Sequence, residues 1–174
     1  MQKIIQNKRG FSFVETILYI AIISGVLVTF ISFILAVTSS RTKTYVVQEV
    51  HANNRIALDV ITRHVHEASG INIGASVFDS DPGVLSLQMN DVAKDPTVFS
   101  LDQDNGRLYI QQGADPAVVI TSAEVQLETF LLHHIAVPNT PGSIQLDITT
   151  NYYADTTDPD FIYDQSIQTA IALH

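Results

Sequence analysis

From Thr16 to Val37 the chain carries no charged residue and no proline. As an α-helix this run would be about 33 Å long at ~1.5 Å per residue, close to the ~30 Å hydrocarbon core of a bilayer. Leu, Ile, Val and Phe dominate it on every side. Ser24, Thr29 and Ser32 are short enough to bond back to their own helix. Gly25, near the middle, is the expected point of local loosening. A helix apolar all round needs lipid or partner helices to cover it. The residues beyond it amount to one small domain, enough for a single modest core.

A secretory signal is the first alternative. It pairs a basic start with an apolar stretch of ~7–15 residues and a small-residue cleavage site, which here could only be drawn near Ala36. The run is too long for that, so a retained membrane helix is expected. Its orientation is not fixed by charge, because Arg41 and Lys43 on one side nearly balance Lys3, Lys8 and Arg9 on the other.

The charge beyond the helix is one-sided. After Ile71 the only Lys or Arg residues are Lys94 and Arg107, in a chain with 18 Asp and Glu and a formal net charge of −9. Such a surface repels phosphate backbones, so direct nucleic-acid contact is not expected. The chain has no cysteine, which excludes disulfides, thiolate metal sites and a cysteine nucleophile.

Glu15 stands just ahead of the apolar run. One reading is an acid at the water interface, favoured by the positive end of the helix dipole. The other is a carboxylate held for a specific positive partner, since acids at membrane depth are costly and usually paired.

The stretch "KRGFSFVET", residues 8–16, resembles the processing site of type IV pilins, the pseudopilins of type II secretion and the minor pilins. In that family a short basic leader ends in Gly, an aromatic residue comes next, and Glu is fifth in the mature chain. Here these are Lys3, Lys8 and Arg9, then Gly10, Phe11 and Glu15. Ser12 and Phe13 depart mildly from the commoner Thr and Leu. The resemblance implies cleavage between Gly10 and Phe11 by a prepilin peptidase, with methylation of the new Phe11 amine. It also implies that Glu15 pairs with the amine of a neighbouring subunit. Further implied partners are other pilin or pseudopilin subunits, an inner-membrane assembly platform and the bilayer.

After the span the helix is expected to continue to about Ser69. Val47, Val50, Asn54, Ala57, Ile61, Val65 and Ala68 recur at three- and four-residue steps, and Gly70 reads as a stop. The remainder reads as strands. "GVLSLQM", "TVFSLD", "RLYIQQG", "EVQLETFLLHHIAV", "SIQLDITTNYY" and "QSIQTAIALH" alternate or cluster apolar residues. Asn105-Gly106 signals a tight hairpin, and turns are expected at Asp81 to Gly83, Asn139 to Gly142 and Thr156 to Asp160. The expected class is α+β: a long N-terminal helix, membrane-spanning then amphipathic, packed on an antiparallel sheet. The expected divisions are a leader over 1–10, a span over 11–38, an amphipathic continuation over 39–70 and an extracytoplasmic β-rich domain over 71–174. The strand order is also similar to the minor pseudopilins of the J or W type, although the last residue is His174 where a basic Arg is more usual.

Little points to chemistry. His133 and His134 are adjacent on an expected strand and so face opposite ways, and His64 and His66 diverge on a helix. Asp102 and Asp104 begin like a calcium loop but lack its later bidentate acid. The acidic loop "DTTDPDFIYD" could hold calcium weakly, and the family resemblance allows it. A solvated loop, with no cofactor and no metal, is the expected reading. No nucleophile elbow, phosphate-cradling loop or spaced acid pair is present, so the chain is not expected to be an enzyme. The function expected from the resemblance is a structural subunit of a pilus-like or pseudopilus filament, single-pass in the cytoplasmic membrane. A tethered binding or sensor domain, or a tethered enzyme, stays open beside it.

Overall fold

The computed structural model describes residues 10, 12–135, 142–154 and 156–173. Among these residues one α-helix, α1 (Phe13–Glu67), leads into eight strands: β1 (Ala68–Ile71), β2 (Val84–Met89), β3 (Thr97–Asp102), β4 (Arg107–Gln112), β5 (Val118–Val119), β6 (Val125–Ile135), β7 (Ser143–Tyr152) and β8 (Asp164–Ala172). The class is therefore α+β with antiparallel sheets and a long N-terminal helix. The chain divides at Arg41/Thr42 into two compact units.

In the first unit every described side chain from Phe13 to Ala36 is exposed. Three of its hydroxyls bond back to the helix, whereas Ser24, expected to do the same, makes no side-chain hydrogen bond among the described residues. Thr29 Oγ1 donates to the Val26 carbonyl at 2.8 Å, Ser32 Oγ to Val28 at 2.9 Å and Thr38 Oγ1 to Ile34 at 3.0 Å. No hydroxyl of these three is left without a bond, as a hydrocarbon environment requires. Gly25 does not interrupt the helix, which runs through it unbroken.

In the second unit α1 turns one stripe inward: Val46, Val50, Asn53, Asn54, Ala57, Ile61 and Val65. Val46, not the expected Val47, leads the stripe. Val47 is only half-buried. Helix and stripe end at Glu67, because Ala68 already pairs with Met89 as the first residue of β1. Ala68 is buried as expected, but from a strand.

The strands form two sheets where the sequence suggested one. The first has the order β1-β2-β3-β4-β5 and the second β6-β7-β8. Leu85, Leu87, Phe99 and Leu108 fill the core from the first sheet. Phe130, Leu132, Ile144, Leu146, Ile148 and Ile171 fill it from the second. These are alternate residues, so each strand shows one apolar and one polar face. Asn105-Gly106 makes the expected hairpin between β3 and β4, with Gly106 at φ +61°. The two sheets are tied by the segment before β2. Asp79 N donates to Leu132 O at 2.8 Å and Gly83 N to Phe130 O at 2.6 Å, while Phe130 N donates to Asp81 Oδ1 at 3.0 Å. These bonds occupy part of the β6 edge that would otherwise be open.

Candidate assembly site on the N-terminal helix

Gly10 is exposed and precedes the helix, and a Cβ placed on it would meet nothing within 4 Å. Lys3, Lys8, Arg9 and Phe11 lie outside the described residues. Helical backbone begins at Phe13, and Thr16 N bonds Ser12 O at 3.1 Å to close the first turn.

Glu15 sits in that first turn. It is exposed, and Tyr19, one turn on, donates its hydroxyl to Oε1 at 3.4 Å. This i,i+4 contact is what helix geometry gives side chains at that spacing. The sequence reading missed Tyr19. Its signal was present, as an isolated phenol four residues from an isolated acid. Glu15 is the only charged residue between Gly10 and Arg41. A single anionic group therefore marks one level of an apolar rod, at the end where the dipole favours it. What such an arrangement can do is recognise a cation at a fixed axial height. Sliding a cationic partner by one turn along the rod separates the charges by about 5.4 Å and leaves both in apolar surroundings.

The other residues singled out by sequence do not converge. His64 lies at the side of the core, its Nδ1 2.8 Å from Val60 O and its Nε2 3.1 Å from Gln112 Nε2. His66 is exposed. His133 joins Asp79 through Nδ1 and faces Asp147 Oδ2 at 3.7 Å through Nε2, while His134 stacks near Phe78 with ring centres 5.4 Å apart. Adjacent histidines thus point apart. Asp102 takes Asn105 Nδ2 at 2.9 Å and Asp104 N at 3.1 Å. The Asn105 bond first, and the Asp104 amide second, hold its carboxyl below the usual range. Its role is to staple the hairpin. Among the described residues no three His, Asp or Glu groups are placed to share a metal ion.

At the start of the second unit, Tyr45 donates to Glu124 Oε2 at 2.5 Å. That bond, with burial and the charges of Glu124 and Glu49, pushes its phenol up to about 12. Deeper in, Asn53 and Asn54 carry the polar contacts of the helix face. Asn53 accepts from Ser122 N at 2.8 Å, and Asn54 accepts from Thr150 Oγ1 at 2.6 Å.

No family model, curated protein or solved structure matches this chain. The functional reading therefore stands on the residues and their placement.

Proposed function

We propose that the chain is a structural subunit of a pilus-like or pseudopilus filament, of the minor pilin or pseudopilin kind. In this reading a prepilin peptidase cuts after Gly10 and the Phe11 amine is methylated. The apolar helix then holds the subunit in the cytoplasmic membrane with the 42–174 unit outside the cytoplasm. Assembly brings apolar helices together on a membrane platform. The observation that carries the reading is Glu15: a lone carboxylate in the first turn of an apolar helix whose side chains are exposed from Phe13 to Ala36, five residues after an exposed glycine. An amine freed at Phe11 would be its natural partner on a neighbouring subunit. Each charge alone is expensive in an apolar bundle, and the pair fixes the register.

The test is Glu15→Ala in the full chain. A carboxylate costs ~2.5–3.5 kcal/mol at a helix centre on insertion scales and less near the interface, so its removal should not impair insertion. Membrane abundance and cleavage should be unchanged, while incorporation into sheared filaments or cross-linked neighbour complexes is lost. Glu15→Asp should fall between. Normal incorporation of Glu15→Ala at equal abundance would reduce Glu15 to an interfacial acid.

A tethered binding domain is the second reading, favoured by a cavity of about 280 Å3 lined by Glu128, Asn151, Tyr152, Phe161 and Asp164. Such a protein would keep residues 1–10, which a processed subunit loses.

A further inference from the structure

Two of the sheet edges in the 42–174 unit are formed by β8 and β5. β8 closes the three-stranded sheet, and its pairing with β7 runs from Asn151↔Asp164 to Ser143↔Ala172 without a register shift. From Gln165 to Leu173 it has no charge, proline or glycine. Edges of soluble sheets are ordinarily blunted by one of these devices or covered. Beside β8, α1 forms a groove of about 500 Å3 with Leu58 and Ile167 in it and His51, Arg55, Asp59 and Thr62 around it. Arg55 is exposed and forms no ion pair among the described residues.

The second edge is β5, last in the five-stranded sheet and paired only through Val118 and Val119. Residues 114–119 are exposed throughout, with Val118 at 60% and Val119 at 40%, and Asp115 precedes them. These edges lie on opposite flanks of the buried stripe of α1. Asn53 bonds Ser122, just beyond β5, and His64 meets Gln112 on β4. Leu58 and Thr62, on the other flank, face the groove beside β8.

Symmetry decides between the ways two copies could use these edges. β8 against β8 would pair antiparallel about a two-fold axis normal to the sheet. That runs the Thr42–Glu67 stretch of α1 in opposite directions in the two copies, at odds with chains that enter this unit from one membrane. β8 against β5 is a head-to-tail contact. It can join copies in which that stretch runs parallel, and it leaves the pair one free groove and one free β5 edge, so it can repeat. The chemistry also fits this choice, with an exposed valine opposite the groove's Leu58 and Ile167 and an acid opposite an arginine that forms no ion pair among the described residues.

We propose that the groove between α1 and β8 is filled by residues 114–119 of a second copy, with Val118 against Leu58 and Ile167 and Asp115 against Arg55. The inference rests on the reading that copies share one membrane, and its experiment separates the two. The chain has no native cysteine, so full-length Thr62→Cys and Val118→Cys variants can be co-expressed and joined in membranes with a short bis-maleimide. Cross-linked dimers should require both variants. Arg55→Glu on the Thr62→Cys copy should lower the yield by about tenfold, as an attraction becomes a repulsion. Asp115→Arg on the other copy should restore it. Cross-links between identical positions, cross-links only to another protein, or yields indifferent to both charge reversals would overturn the proposal. Intact mass on the same membranes reads processing separately. Processed chains that never cross-link refute the groove contact alone, and cross-links between unprocessed chains refute the pilin-like reading alone.

Discussion

Asn54 sits in the middle of an apolar stripe at 2% exposure, and its partner Thr150 is fully buried. Thr150 Oγ1 donates to Asn54 Oδ1 at 2.6 Å, and Asn54 Nδ2 donates to Gln165 Oε1 at 3.1 Å. This one side chain therefore ties α1 to both β7 and β8. Asn54→Ala removes the acceptor and leaves the Thr150 hydroxyl buried without a partner, which costs about 1–3 kcal/mol. The vacated volume adds about 1 kcal/mol. Ala returns about 0.5 kcal/mol of helix propensity. Gln165 is only half-buried and can turn to water. The expected net loss is about 2–3 kcal/mol. Thr150→Val keeps the shape and leaves Asn54 Oδ1 without that donor, for a loss of about 1–2 kcal/mol. In the double variant neither orphan remains, so the combined loss should fall short of the sum by about 1–2 kcal/mol. Urea unfolding of residues 42–174, monitored by circular dichroism, measures all four corners of the cycle. Additive losses, or an Asn54→Ala variant within about 0.5 kcal/mol of the parent, would refute the claim that this pair fastens the helix to the sheet.

Two further outcomes concern single sites. The Tyr45 phenol is raised from 10.0 to about 12 by its bond to Glu124 first, so its contribution to stability is whole below pH 10 and is lost as pH rises through about 12. Tyr152 is also raised, chiefly by burial, so Tyr45→Phe should remove one of two late-ionising phenols and flatten the alkaline loss of stability. A full-size late phenolate signal in that variant would assign the shift elsewhere. Gly106 stands at φ +61° with the position of a Cβ only 2.7 Å from Gln126 Cβ. Gly106→Ala should therefore cost more than about 1 kcal/mol in the same unfolding assay, and a neutral result would mean that the hairpin can shift away from β6.

The parts of the fold readable in the sequence were those set by local period. β3 and β4 begin where the alternation and the Asn105-Gly106 signal put them, and Ile144, Leu146 and Ile148 share the buried face of β7. Alternation reports which side of a strand is covered and not which strand lies beside it, so the separation into two sheets was hidden. β1 was hidden as well. "ASGI" has no strand composition, and its pairing with β2 depends on residues near 87–89. Asn54 was placed on the buried stripe by spacing, but its partners Thr150 and Gln165 are 96 and 111 residues away. The same distance problem concealed Asp79 opposite His133, 54 residues apart. At the candidate site the run, the glycine and Glu15 were legible because they are consecutive. Any partner of Glu15 on another chain would be a property of an assembly, and one chain does not encode it locally.

The most direct measurement is the intact mass of the chain recovered from membranes of cells with an active prepilin peptidase. Processing as a pilin-like subunit predicts a species that begins at Phe11, lacks residues 1–10 and carries one added methyl group on its N-terminal amine. A chain that keeps residues 1–10 in those membranes, unmethylated and at normal abundance, would contradict it.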